Sequence, residues 1–169
     1  MSNKLTPDFV FNNIFEITPQ FLREIGIEAL ILDIDNTLVP YEIPEPTDEL
    51  RAWFTALRDN SISAALVSNN GRERVELFNR SLGLPMFAKS GKPSRKNLRR
   101  AMNEMGARPE NTAMIGDQIF TDIFAGKRLG LRAMLVPPIK DKRDPFTAFK
   151  RLLERPILRA YRKAHAKNK

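Results

Sequence analysis

Cysteine is absent from all 169 residues, and histidine occurs once, at His165 in a highly charged C-terminal stretch. Disulfides, thiolate metal sites and cysteine nucleophiles are thereby excluded, and histidine chemistry has only that one tail residue to rely on. No run of eighteen apolar residues occurs, so no segment reads as a bilayer span. The opening MSNKLTPDFVFNNIF is broken by Lys4, Pro7 and Asp8 before an apolar stretch of seven can form, which argues against a secretory signal. These absences read as a soluble, cytoplasmic chain, peripheral to a membrane at most.

A net excess of either charge is also missing from most of the chain. Lys and Arg number 28 against 20 Asp and Glu, for a net charge of +8. Residues 1–139 carry 17 basic and 17 acidic side chains, whereas residues 140–169 carry 11 and 3. The whole excess sits in the last thirty residues, so an electrostatic partner is expected to meet the tail and not the body. The division predicts a folded unit over 1–139 and a basic amphipathic extension over 140–169. At this length the chain is a domain of ordinary size, able to bury roughly 70% of its unfolded surface.

Apolar runs alternate with helix-like segments. Thr18, Pro19 and Gly26 punctuate a short helix, and Ala29–Leu32 then reads as a strand buried on both faces. Thr47 caps a helix carrying Leu50, Trp53, Phe54 and Leu57 on one face. SISAALVS, the short piece at Met86-Phe87-Ala88, Thr112–Ile115 and Leu131–Val136 supply further strands. Between them lie helical segments at RERVELFNRSLG, at RKNLRRAMNEMG capped by Ser94, and at FTDIFAGKRLG. This alternation predicts an α/β fold, a Rossmann-like three-layer sandwich with a parallel sheet of about five strands. Right-handed crossovers would bring the strand ends at Asp33, Ser68 and Asp117 to one edge, where open α/β sheets bind ligands.

Those strand ends are polar clusters and not ordinary turns. Asp33 and Asp35 are two apart, so on extended backbone both carboxylates face one site. Their repulsion calls for a cation or a shared proton, and a hard divalent ion with oxygen ligands, magnesium in the first place, answers it. Asp117 would complete a ligand set of Asp33, Asp35 and Asp117. A carboxylate so placed can attack phosphorus, and its neighbour can serve as acid and then base. Thr37, Ser68, Asn69 and Lys92 are candidates for holding phosphoryl oxygens.

With these residues in hand, the chain resembles the haloacid-dehalogenase (HAD) type phosphatases. DIDNTL at 33–38 looks like the first motif of that family, Ser68 in ALVSNN the second, Lys92 in GKP the third, and GDQIFTD with Asp117 and Asp122 the fourth. The resemblance implies Asp33 as nucleophile, Asp35 as general acid/base, Ser68 and Lys92 as phosphate binders, and Asp117 as a magnesium ligand. Asp122 would orient Lys92 or support the metal. About two dozen residues follow Val39 before the next strand, and 23 separate Ser68 from Lys92. Neither interval holds a cap domain, so the member looks capless, of the subclass III type, with an open site suited to substrates that cannot be engulfed.

GIEALILDIDNTLVP, LVSNN and GDQIFTDIFAGKRLG further resemble a bacterial subgroup related to the mitochondrial phosphatidylglycerophosphate phosphatases. That implies a phosphomonoester on a phospholipid as substrate, with a soluble sugar, nucleotide or phosphoprotein phosphate as the alternative. In the tail, Phe146, Phe149, Leu153, Ile157, Ala160 and Ala164 recur at helical spacing among Lys and Arg, and Pro156 is expected to split the helix. Such a helix can lie in an anionic membrane interface, or pack its first half on the sheet and leave its charged end in solvent, or contact RNA. A rival reading makes the chain a non-catalytic basic module that binds RNA or a ribosomal surface.

Overall fold

Six strands, β1 (Phe9–Val10), β2 (Ala29–Leu32), β3 (Ser63–Val67), β4 (Met86–Phe87), β5 (Thr112–Gly116) and β6 (Arg132–Leu135), form one sheet in the order β1-β6-β5-β2-β3-β4. Every pairing is parallel. The computed structural model describes residues 4–140 and 145–166 and, in the last helix, the side chains of residue 149 and residues 152–165. The first three residues of the opening segment, residues 141–144 and 167–169 of the basic extension, and the Phe146 side chain lie outside the described residues.

The helices are α1 (Pro19–Glu24), α2 (Asp48–Asp59), α3 (Arg72–Asn79), α4 (Lys96–Met105), α5 (Phe124–Arg128) and α6 (Pro145–Ala166). All four residues of β2 are buried, which explains why its sequence is uniformly apolar. Alternate residues serve opposite faces: Leu30 and Leu32 pack with Leu22, Leu50, Phe54 and Phe78, while Ile31 packs with Leu98, Ala101, Met114 and Ala125. Helices α1–α3 thus cover one face and α4–α5 the other. The lone tryptophan, Trp53, satisfies its indole N–H by donating to the Ile17 carbonyl at 2.9 Å.

The chain leaves β2 in one direction to β3 and β4, and later in the other to β5 and β6. The switch point therefore lies at the carboxyl ends of β2 and β5, which lead into Asp33 and Asp117. No cap intervenes: α2 fills the interval between Val39 and β3, and α3 and β4 fill that between Ser68 and Lys92. No helix among the described residues is long and apolar enough to cross a membrane.

Several local expectations are corrected. The two-residue edge strand β1 was not among the expected strands; too short for periodicity, it exists through pairing with β6. Helix α4 starts after Arg95, because the Ser94 N–H closes a turn onto the Gly91 carbonyl at 2.9 Å, although the Ser94 hydroxyl still accepts from Lys96 N at 3.4 Å. The segment after Gln118 begins as a π-helical turn, Ile119–Ile123, before α5.

The tail differs most. Helix α6 runs through Pro156, whose position is exposed, as is that of Leu152 four residues earlier, the carbonyl that loses its partner. The docked face is rotated from the expected stripe: Ile157 and Leu158 pack on Ile119, Ile123, Ala133 and Leu135, and Glu154 is buried at 4% exposure, while Phe149 and Leu153 are exposed. Among the described residues, the body thus meets the helix at Glu154, Ile157 and Leu158.

Candidate active site

The loop after β2 is built to place two carboxylates. The Asp33 N–H extends the ladder to the Ile115 carbonyl at 3.0 Å, and the chain then turns, with Thr37 N and Leu38 N both donating to the Ile34 carbonyl at 3.2 and 2.9 Å. Asn36 takes the left-handed conformation the turn requires, φ 62°, which asparagine tolerates better than most residues. The turn brings the Thr37 hydroxyl to 3.2 Å from Asp33 Oδ2 and 3.2 Å from Asp117 Oδ1.

Lys92 enters from the β4–α4 connection. Its side chain is 1% exposed, and its Nζ lies 2.7 Å from Asp33 Oδ1 and 2.7 Å from Asp122 Oδ1. Asn69 clamps the Lys92 backbone, accepting from its N–H at 2.7 Å and donating to its carbonyl at 3.2 Å. Ser68 is buried at the end of β3, its hydroxyl accepting from Asn70 N at 3.0 Å. Asp122 accepts from Gln118 N at 3.2 Å and sits hard against Gly116, where any Cβ would collide with the Asp122 carboxylate. That close approach explains a glycine directly before Asp117.

The resulting cluster carries excess negative charge. Asp33, Asp117 and Asp122 are all buried and can each offer an oxygen within 4.8 Å of the others, with Lys92 among them. Burial, only partly offset by Lys92, pushes Asp33 up to about 6, and the Asp122 and Asp35 charges add to the rise. Burial likewise raises Asp122, against Lys92 and with Asp117. Burial opposes the charge on Lys92, but Asp122 and Asp33 together outweigh it and hold the ammonium protonated. Buried hard oxygen donors with net negative charge fit a divalent metal ion.

Asp35 stands apart from this triad. Its Oδ2 accepts from Asn70 Nδ2 at 3.0 Å, and its Oδ1 accepts from Arg74 Nε at 3.1 Å and pairs with Arg74 Nη2 at 3.0 Å. The carboxylates within common reach are therefore Asp33, Asp117 and Asp122, with Asp35 held across the cleft by α3. The cleft, about 350 Å³, is lined by Asp33, Asp35, Asn36, Ser68, Asn69, Lys92 and Asp122, which sequence reading names apart from Asn36, and also by Tyr41, Asn70, Gln118 and Thr121.

Arg74 was not among the sequence candidates. Its signal was weak: it is the third residue of α3, in the first turn of the helix that directly follows the second motif. Glu154 had no such signal. From α6 its Oε1 accepts from Ile119 N at 2.8 Å, capping the turn that carries Asp122. Glu154→Ala should cost about 1–3 kcal/mol by leaving a buried N–H without its acceptor, whereas Glu154→Gln keeps a carbonyl there and most of the stability. Paired thermal melts of the two variants check this.

Three carboxylates and a lysine gathered at the switch point of a parallel α/β sheet make a site able to hold a metal ion and a phosphoryl group. The chain belongs to the HAD-like hydrolases and is a phosphatase of that family. The HAD-hydrolase-like family matches at residues 89–147. The chain is 41% identical over 160 residues to the probable phosphatase YqeG of Bacillus subtilis, covering 94% of this chain and 93% of that one. It is 27% identical over 135 residues to the chloroplastic phosphatidylglycerophosphate phosphatase 1 of Chlamydomonas reinhardtii, covering 74% of this chain and 50% of that protein. Among solved structures, the cobalt-bound deoxy-D-mannose-octulosonate 8-phosphate phosphatase of Haemophilus influenzae shares the fold, with a TM-score of 0.55, 18% identity, and coverage of 66% of this chain and 68% of that one.

Proposed function

We propose that the chain is a magnesium-dependent phosphomonoester hydrolase that works through an aspartyl-phosphate on Asp33, with phosphatidylglycerophosphate as its substrate. The observation that carries this is the gathering of Asp33, Asp117, Asp122 and Lys92 at the ends of the central strands. Asp33 and Asp117 would hold the magnesium ion, with Asp122 within reach. Bound magnesium would neutralise charge on the phosphoryl group.

The chain's own residues do the rest. An Asp33 carboxylate oxygen bonds to phosphorus as the P–O ester bond breaks, and the leaving alkoxide takes a proton from Asp35. Water then attacks the same phosphorus and gives its proton to Asp35, and the bond from phosphorus to Asp33 breaks to release phosphate. Lys92 and Ser68 supply positive charge and a hydroxyl beside the phosphoryl oxygens, while Arg74 and Asn70 hold Asp35 in place. Thr37 is tied to Asp33 and Asp117, and Asn69 acts through the Lys92 backbone. In this reading residues 1–139 form the phosphatase unit and 140–169 an extension that supports it through Glu154.

The lipid substrate draws on the open cleft and on the chloroplast relative's activity. With magnesium present, phosphatidylglycerophosphate in mixed micelles should be hydrolysed with a higher kcat/KM than sugar, nucleotide or phosphoprotein phosphates. Efficient turnover of one of those, with none of the lipid, would remove the substrate assignment and leave the mechanism standing.

A further inference from the structure

Exposed large apolar side chains are distributed unevenly over this molecule. Among the described residues, Tyr41, Ile43, Ile139, Phe149, Leu152 and Leu153 are each at least 41% exposed, and Val10 is 36% exposed. Tyr41, Ile43 and Ile139 belong to the loops around the cleft, and Phe149, Leu152 and Leu153 to helix α6. Tyr41 lines the cleft, and Ile43 closes the same turn by donating its N–H to the Pro40 carbonyl at 3.0 Å. Ile139 N donates to the carbonyl of Asn36, inside the nucleophile loop, and Lys140 ties that segment to Glu42 at 2.8 Å. Val10 ends β1 beside Leu135.

Helix α6 brings the other three. Glu154 fixes it to Ile119, two residues beyond Asp117, and Ile157 and Leu158 form its docked face. At 100° per residue the opposite stripe holds Phe149 and Leu152 in the first half and Pro156, Arg159 and Lys163 in the second. Arg155 and Arg162, also exposed, flank it. The one acid in Pro145–Ala166 is Glu154, and it is buried, so the helix offers solvent only basic charge along an apolar ridge.

A patch that combines exposed apolar side chains with basic charge fits an anionic lipid surface, where apolar groups enter the headgroup boundary and each nearby Lys or Arg adds attraction. We infer that this rim, with the outer face of α6, docks the protein on anionic bilayers with the cleft mouth toward the lipid. The inference deepens the phosphatase reading and rests on it for what docking delivers: a headgroup phosphate reaches the cleft without leaving the membrane.

Sedimentation with vesicles tests the surface directly. The full chain should pellet with phosphatidylcholine vesicles containing about 30% phosphatidylglycerol, and at least about tenfold less with pure phosphatidylcholine or in about 1 M salt. The double variant Phe149→Glu/Leu152→Glu should lose vesicle binding by about tenfold or more while keeping wild-type turnover of soluble p-nitrophenyl phosphate. Should that variant fail to fold, the single variant Leu153→Glu, at another exposed position of α6, carries the same expectation. Equal pelleting of variant and wild type, or capture of an RNA duplex with no vesicle binding, would overturn the inference. Soluble turnover without vesicle binding would sink the docking surface alone, and vesicle binding by a chain that hydrolyses no phosphomonoester would sink the phosphatase reading alone.

Discussion

Asp33→Asn should abolish phosphate release, by roughly 10³-fold or more, while leaving the protein folded. The amide keeps the shape of the side chain at the end of β2 but cannot attack phosphorus. The same change should raise the melting temperature of the metal-free protein at neutral pH. Asp33 has its carboxyl pushed up to about 6, above the ordinary value of 3.8, so the fold disfavours its ionised form. For a group shifted in that direction, stability is fully present below the ordinary value and is lost as pH rises toward 6, by up to about 3 kcal/mol. The gain from asparagine should therefore be largest above pH 6 and vanish near pH 4. Magnesium must bind the ionised carboxylate, so the stabilisation that magnesium gives the wild type should shrink as pH falls through about 6. Melting curves across pH, with and without magnesium, read all three effects.

Lys92→Met should be the most damaging substitution for stability in the site. The lysine side chain is 1% exposed and contacts two buried carboxylates at 2.7 Å each. Methionine fills a similar volume but leaves Asp33, Asp117 and Asp122 together without their cation. Breaking a buried charge network by removing one sign costs about 3–5 kcal/mol, or about 10 °C for a chain of this size. Magnesium should restore part of that loss, because it supplies the missing positive charge, but it should not restore turnover. Lys92→Arg should not rescue activity either, since a planar guanidinium does not fit a buried ammonium site.

The site was legible in sequence where polar residues interrupt apolar strands. Asp33, Ser68 and Asp117 stand at the ends of runs that only a buried parallel strand explains, and topology then brings them to one edge. Lys92 was a candidate because it stands at the end of its own segment, and Asp122 entered only through the resemblance of GDQIFTD to the family's fourth motif. Arg74 was readable only from its place in the first turn of the helix that follows the second motif. Asp35 was expected to share the metal with Asp33, since side chains two apart on a strand face the same way. The turn at Asn36 begins directly after it, and Arg74 of α3 and Asn70 engage its carboxylate.

The tail was the least legible part. Its apolar spacing identified a helix but not which stripe docks, because that is decided by Glu154, a charged residue that periodicity treats as solvent-facing. The Ile119 N–H at the start of the π-helical turn needs an acceptor, and α6 provides it. Once Glu154 faces inward, Phe149 and Leu152 must face outward. No local rule predicts that rotation.

The central claim is that Asp33 carries the phosphoryl group. Acid-quenched turnover with a labelled phosphomonoester, followed by peptide mapping, tests it most directly. The mechanism predicts a hydroxylamine-sensitive phosphoryl label on Asp33 in the wild type and none in Asp33→Asn. Sustained turnover with no label at Asp33, or full activity in the asparagine variant, would contradict it.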